Sequence, residues 1–232
     1  MNIAFIPVRG GSKSIPLKNI KLINGKPLVY WTALAAENAK CIDKLIIATD
    51  CAEIKSTVLN FGFKKLEVYD RDAANASDTS STESVMLEYI NKTDLKDNDL
   101  FFLIQATSPM LKSEHIDGMY NEFANNDSDS MFTGVLEKQF HWGVGVNIKG
   151  VNKKDGISPV NYDYRNRPRR QDFEGLIAEN GASYINSVGN IKRDKCRLSG
   201  KITAYELPSY TAYEIDEPID WIIIEELMQK IK

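Results

Sequence analysis

Five short apolar runs recur through the first 136 residues, at Ile3–Val8, Lys44–Thr49, Leu66–Tyr69, Asp99–Gln105 and Ser130–Leu136. They are rich in β-branched and aromatic residues and read as strands. Helical patterns separate them. Pro27–Ala39 carries Leu28, Trp31, Leu34 and Ala35 on one face, and Pro27 suits its first turn. A second helix runs from about Ala52 to Phe61 and stops at Gly62. Ser80 and Glu83 have the spacing of a capping box for a third, reaching about Asn91. Ser113 caps a fourth, ending near Asn125. Strands that alternate with helices predict an α/β fold, a mostly parallel central sheet with helices on both faces. Ligands of such sheets collect beyond the carboxyl ends of the strands. The loop after Val8, Asp50 and the Gln105 segment are therefore expected along one edge, although far apart in sequence.

The alternation breaks after Leu136. Residues 139–175 are polar, punctuated by Gly and Pro, and carry Arg165, Arg167, Arg169 and Arg170. A stretch this long without strong elements marks function or disorder. We expect residues 1–138 and 176–232 to form one α/β domain and 139–175 an excursion from it, with a short hairpin or two. Ala182–Ile185 and Ile202–Leu207 read as strands returning to the sheet. Pro218–Lys232 reads as a closing amphipathic helix.

Hydrophobic residues make up 43% of the 232, enough for a large core, and the net charge is −3. That balance argues against a surface adapted as a whole to nucleic acid or anionic membrane. Cys41, Cys51 and Cys196 form no C-x-x-C pair, and His115 and His141 have no metal-ligand spacing. No apolar run reaches the length of a membrane span, and no charged region precedes the first apolar run as in a secretory signal. A cytoplasmic location with no membrane partner is the expectation.

Several clusters carry chemistry. The first strand opens into Arg9-Gly10-Gly11-Ser12-Lys13, with Lys18 close behind. Adjacent glycines leave amide N–H groups open, and three cations share the loop, which suits a polyphosphate. Neither the Walker nor the G-x-G-x-x-G pattern is present. A basic surface loop is the alternative. Ser77-Asp78-Thr79 can read a base edge or cap a helix. Gln105 ends an apolar strand, where a buried amide needs partners, whereas Ser108-Pro109 alone would suit a turn. The arginine run is a solvated face, an RNA contact or a carboxylate site; a single nearby aromatic, Phe173, weakens the RNA reading. Glu214 and Asp216 project together from an extended chain and can hold magnesium against phosphate, or else begin an acidic helix start.

Taken in order, V-R-G-G-S-K-S-I-P-L-K-N at Val8–Asn19, Ser77-Asp78-Thr79, Q-A-T-S-P from Gln105, R-P-R-R-Q-D from Arg167, N-G-A-S-Y from Asn180 and Glu214-Ile215-Asp216 resemble the CMP-sialic acid synthetases. These cytidylyltransferases activate nine-carbon 2-keto sugar acids. The resemblance implies a Rossmann-like nucleotide-diphospho-sugar transferase fold, a small dimerisation excursion and a homodimer. It implies CTP held by Arg9, Gly10, Gly11, Ser12, Lys13, Lys18 and Asn19, with Arg71, Ser77, Asp78 and Thr82 beside the cytosine. The nonulosonic acid would meet Gln105, Thr107, Ser108, Asn180 and Tyr184, with Arg169 and Arg170 completing a partner's site. Asp216 and Glu214 would hold Mg2+, and Arg9, Lys18 and Asp216 would carry catalysis. The chain departs from the pattern at Ser14, Thr82, Lys112 and Glu214, and offers Arg197-Leu198 where some relatives have two aromatics. Those departures leave open a legionaminate, pseudaminate or eight-carbon ulosonate acceptor, and a non-catalytic nucleotide-binding homologue.

Overall fold

Alternate side chains along the central strands bury on opposite sides, which is the period-two signature of a sheet covered on both faces. The structure, a computed structural model, describes residues 1–12, 14–72, 75, 80–144 and 156–231. Strand β1 (Asn2–Pro7) turns Ala4 and Ile6 to one layer and Ile3 and Phe5 to the other. Strands β4 (Lys44–Thr49) and β6 (Leu100–Ile104) divide in the same way. Helices α1 (Leu28–Asn38), α2 (Ala52–Leu59) and α4 (Ser113–Asn125) cover the first layer. Helices α3 (Thr82–Asn91) and α5 (Val188–Asp194) cover the second.

Adding β5 (Leu66–Asp70), β7 (Ser130–Glu137), β10 (Leu176–Ser187) and β11 (Ile202–Glu206) completes a seven-stranded sheet in the order β11-β7-β10-β6-β1-β4-β5. Every pairing is parallel except those of β10, which runs against β6 and β7. The carboxyl ends of the other six strands thus share one edge with the amino end of β10. A bulge interrupts the β10 ladder between Glu179 and Tyr184.

A third, smaller core lies under that edge. Ile15 from the opening loop, Ile23, Leu28, Met110 and Ile215 pack with Trp221 and Ile224 of α6 (Pro218–Lys230). It gathers three distant segments that no strand pairing joins. Ile23 belongs to a two-stranded turn, β2 (Leu22–Ile23) with β3 (Lys26–Pro27), which has no counterpart among the expected strands.

Three expectations need correction. The cap of α3 is Ser81, whose side chain accepts from the Ser84 N–H, and Glu83 turns away to Arg197. At α4 the Lys112 N–H is held by His115 Nδ1, and the Ser113 hydroxyl turns to Glu114. The returning strand starts at Leu176 rather than Ala182, and the short α5 follows it, capped by Ser187. Within 139–175 the described part contains one hairpin, β8 (Trp142–Val144) with β9 (Ile157–Pro159).

Candidate active site

The opening loop is fastened to its neighbours by short polar contacts. Asn19, buried, donates from Nδ2 to the Arg9 carbonyl at 3.0 Å. The Gly10 N–H donates to Asp50 Oδ1 at 3.2 Å, tying the loop to the end of β4. Position 10 demands glycine because a Cβ there would lie 2.9 Å from that of Cys51. Leu17 adopts a left-handed backbone (φ 48°) that turns the chain into the short helical turn at Lys18.

Lys18 then crosses the edge of the sheet. Its Nζ donates to the Ile215 carbonyl at 2.7 Å and pairs with Asp216 Oδ1 at 3.3 Å. The lysine side chain is 13% exposed and the Asp216 side chain 66%, so the pair presents an open carboxylate above a sheltered ammonium. The Ile215 N–H donates to the Thr107 carbonyl at 2.9 Å, which pins this acidic segment against the turn after β6.

Arg71 follows β5 and donates to the Asn75 carbonyl, while its Nε is buried without a partner among the described residues. Burial pushes its guanidinium below the ordinary value; Asp50 and Glu88 oppose that shift and Arg9 adds to it. Two guanidinium groups that repel each other across one cleft make a ready site for an anion. Glu88 shapes the same region. It accepts from the Tyr69 hydroxyl (2.7 Å), the Asp72 N–H (2.9 Å) and Asn75 Nδ2 (2.6 Å). Burial would raise its carboxyl, but these donors hold it below the usual 4.5.

Together these segments enclose a cleft of about 560 Å³. Arg9, Ser12, Lys18, Asn19 and Arg71 line it, with Ser80, Ser81 and Thr82 at the amino end of α3, whose dipole favours negative charge. Gln105, Thr107 and Asp216 close the other side. Thr107 Oγ1 and Ser108 Oγ are buried with no partner among the described residues. Gly10 and Gly11 belong to the loop but do not line the cleft. Lys13, Ser77 and Asp78 lie outside the described residues.

The remaining predicted residues stand apart from the cleft. Asn180 lies in the β10 bulge and is 5% exposed; its side chain accepts from Thr133 Oγ1 and the Ala182 N–H and donates to Thr211. Tyr184 is buried, donates to Glu179 and lies under Arg197. Burial, then Glu179, pushes its phenol far up. Arg169 and Arg170 line a separate basic hollow with Lys138, Phe140 and Arg167, and Arg169 pairs with Asp172 at 2.7 Å. Glu214 stands behind Gln105: a Cβ built on Gly181 (φ 66°) would lie 3.3 Å from both Gln105 Nε2 and Glu214 Oε2. Burial raises the Glu214 carboxyl, Asp216 adds to the rise and Lys18 opposes it.

Among the described residues no three His, Cys, Asp or Glu side chains form a metal cluster. A magnesium ion that keeps water and phosphate oxygens in its shell needs only one or two carboxylates from protein. The open carboxylate of Asp216 on the cleft wall, with Glu214 two residues away, fits that requirement.

Glu88 and Ser81 escaped the sequence reading, which marked Arg197 only as a departure from the family pattern. Glu88 and Lys92 have i,i+4 spacing, which marks a helix-face pair and nothing more.

A model of the cytidylyltransferase family matches residues 3–141. N-acylneuraminate cytidylyltransferase of Oncorhynchus mykiss is 35% identical over 226 residues, covering 96% of this chain and 49% of that protein. N-acylneuraminate cytidylyltransferase A of Danio rerio is 34% identical over 225 residues, covering 96% and 50%. The chain thus spans about half the length of these relatives. A solved CMP:2-keto-3-deoxy-manno-octonic acid synthetase complexed with CTP matches with a TM-score of 0.70 at 18% identity, covering 99% of this chain and 98% of that one. At that identity the likeness is one of fold. No helix among the described residues is long and apolar enough to cross a membrane.

Proposed function

The chain belongs to the cytidylyltransferase family, and on that premise we propose that it transfers CMP from CTP to the anomeric hydroxyl of a nonulosonic acid of the sialic-acid type, releasing pyrophosphate. The observation that carries this reading is the single cleft in which Arg9, Lys18 and Arg71 meet Gln105, Thr107 and Asp216. A triphosphate answers the cations and the α3 amino end. A polyhydroxy acid answers the amide and hydroxyls of the opposite wall, with Asn180 and Tyr184 supporting that wall from beneath.

In the reaction the acceptor oxygen attacks the α-phosphorus in line. The new O–P bond forms as the bond to the bridging oxygen of the β-phosphate breaks, and the electron pair leaves on pyrophosphate. Arg9 and Lys18 stabilise that charge from fixed positions. The hydroxyl proton passes toward the Asp216 carboxylate. Asp216 on the cleft wall, with Glu214 two residues away in the chain, would hold Mg2+, which when bound neutralises phosphate charge.

We read the protein as a cytoplasmic homodimer. The exposed apolar side chains of Trp142, Val144, Ile157 and Tyr164 support the dimer, since they share the excursion with Arg169 and Arg170, away from the chain's own cleft. The free thiols of Cys41, Cys51 and Cys196 support a reducing compartment. The test is pyrophosphate release from CTP with a panel of N-acylneuraminate, legionaminate, pseudaminate and an eight-carbon ulosonate, with sedimentation for the assembly. Turnover with one nine-carbon acid is expected. Release with none of the panel, in protein that binds CTP, refutes the transferase reading.

A further inference from the structure

We propose that Arg197 is a positioning residue that ties the nucleotide wall of the cleft to its acceptor wall, and so sets affinity for the acid without touching either substrate. The inference rests on the transferase reading above.

Arg197 comes from the turn after α5. Its backbone is fixed from below, because the buried Asn186 donates from Nδ2 to the Arg197 carbonyl at 3.1 Å. Its side chain reaches both ways. Arg197 Nε donates to Glu83 Oε1 at 2.6 Å, with the two side chains 23% and 21% exposed. Glu83 directly follows Thr82, which lines the cleft at the amino end of α3. The same guanidinium lies over the Tyr184 ring, 5.1 Å from its centroid. The Tyr184 hydroxyl donates to Glu179, the last residue of β10 paired before the bulge. Within the bulge, the Ala182 carbonyl accepts from the Gln105 N–H at 3.2 Å. Contacts joined by short stretches of chain therefore lead from Thr82 to Gln105 through Arg197.

The two ends of that run are held unequally. The start of α3 has its own Ser81 cap and a buried face of Val85, Met86, Tyr89 and Ile90. The acceptor lip crosses an interrupted ladder, so its shape depends on side chains. Loss of Arg197 should loosen the lip more than the helix. A mere space-filler would instead disturb both substrates alike.

Steady-state kinetics on the full chain decides between the two. Arg197→Ala is expected to raise KM for the acid about tenfold and KM for CTP less than about twofold. Tyr184→Phe removes only the hydroxyl contact to Glu179 and should move acid KM in the same direction. Arg197→Lys keeps the charge opposite Glu83 but not the planar stack, and should rescue in part. Combining Arg197→Ala with Glu83→Gln should add little to either single change. If Arg197→Ala fails to fold, the Lys and Phe variants carry the test. Equal rises in both KM values, or no rise in acid KM in the folded variants, overturns the proposal. Should wild type turn over no acid of the panel, the transferase reading fails instead. Hydrogen exchange then reads the tie directly: protection across residues 179–184 should fall in Arg197→Lys while α3 keeps its own, and unchanged protection overturns it.

Discussion

The two walls of the cleft hold their backbones by different means. On the proposed nucleotide side, loops follow parallel strands, and a single side chain fastens each of them: Asn19 for Arg9, Asp50 for Gly10, Glu88 for the stretch after β5. On the proposed acceptor side, several partners converge on one bulged antiparallel strand: Thr133, Thr211, Arg197 and the Gln105 turn. Lys18 reaches from the first wall to the second by a direct hydrogen bond to the Ile215 carbonyl. The half proposed to face phosphate is thus held loop by loop with one fastener each, whereas the half proposed to face the acceptor is held by several partners meeting on one irregular strand.

Removing the link should have the largest effect. Lys18→Ala deletes a cation that lines the cleft and removes one of the ties on the Ile215–Asp216 segment. Pyrophosphate release should fall by about 10²- to 10³-fold, the usual cost of one preorganised charge-stabilising donor. Undiminished turnover would break the assignment. Next comes Glu88→Gln, which leaves buried donors around the stretch after β5 poorly matched. Chemical denaturation at neutral pH should show a loss of about 2 kcal/mol. The sign with pH follows from its lowered carboxyl. The Glu88 contribution is present above the unfolded carboxylate value and is lost as pH falls through the lower folded value, below 4.5. The Gln variant should therefore lose less stability than wild type on acidification below that pH.

The two glycines test each wall at smaller scale. Gly10→Ala drives a Cβ into Cys51 and should cost about 1–2 kcal/mol, mainly weakening CTP binding in calorimetry. Cys51→Gly in the same chain should restore much of it. Gly181→Ala meets a left-handed backbone and two polar neighbours, for about 1 kcal/mol. Its kinetic signature should be a higher acid KM with CTP KM unchanged. If both glycine variants weaken the same substrate, the division into two walls is wrong.

The same division explains what was legible in the sequence. The strands β1, β4, β5, β6 and β7 and the glycine loop could be read because period, apolar content and glycine act within a few residues. The identity of the α3 cap could not. Ser80 and Ser81 are equivalent locally, and the choice accompanies Glu83 turning to Arg197, 114 positions away. The bulge at Glu179–Tyr184 and the short α5 were hidden for a related reason: their backbone partners are Thr133, Asp97 and Asp99, which no local pattern announces. Asn180 and Tyr184 were recognisable as a motif. That their polar groups serve Thr211, Thr133 and Glu179 became visible only with the sheet assembled.

Glu137 and Leu176 face each other across the β7–β10 ladder. Everything between them is topologically the loop of one antiparallel hairpin. Closing such a loop costs entropy that grows only with the logarithm of its length. The sheet can therefore carry an insertion of almost any size at this point without changing the register of a strand. Since β7 ends, and β10 begins, on the edge that bears the cleft, an insertion leaves the sheet there, and in this chain Arg167, Arg169 and Arg170 use that exit to line a hollow of their own. The fold has, in effect, a socket for a new surface beside an unchanged sheet.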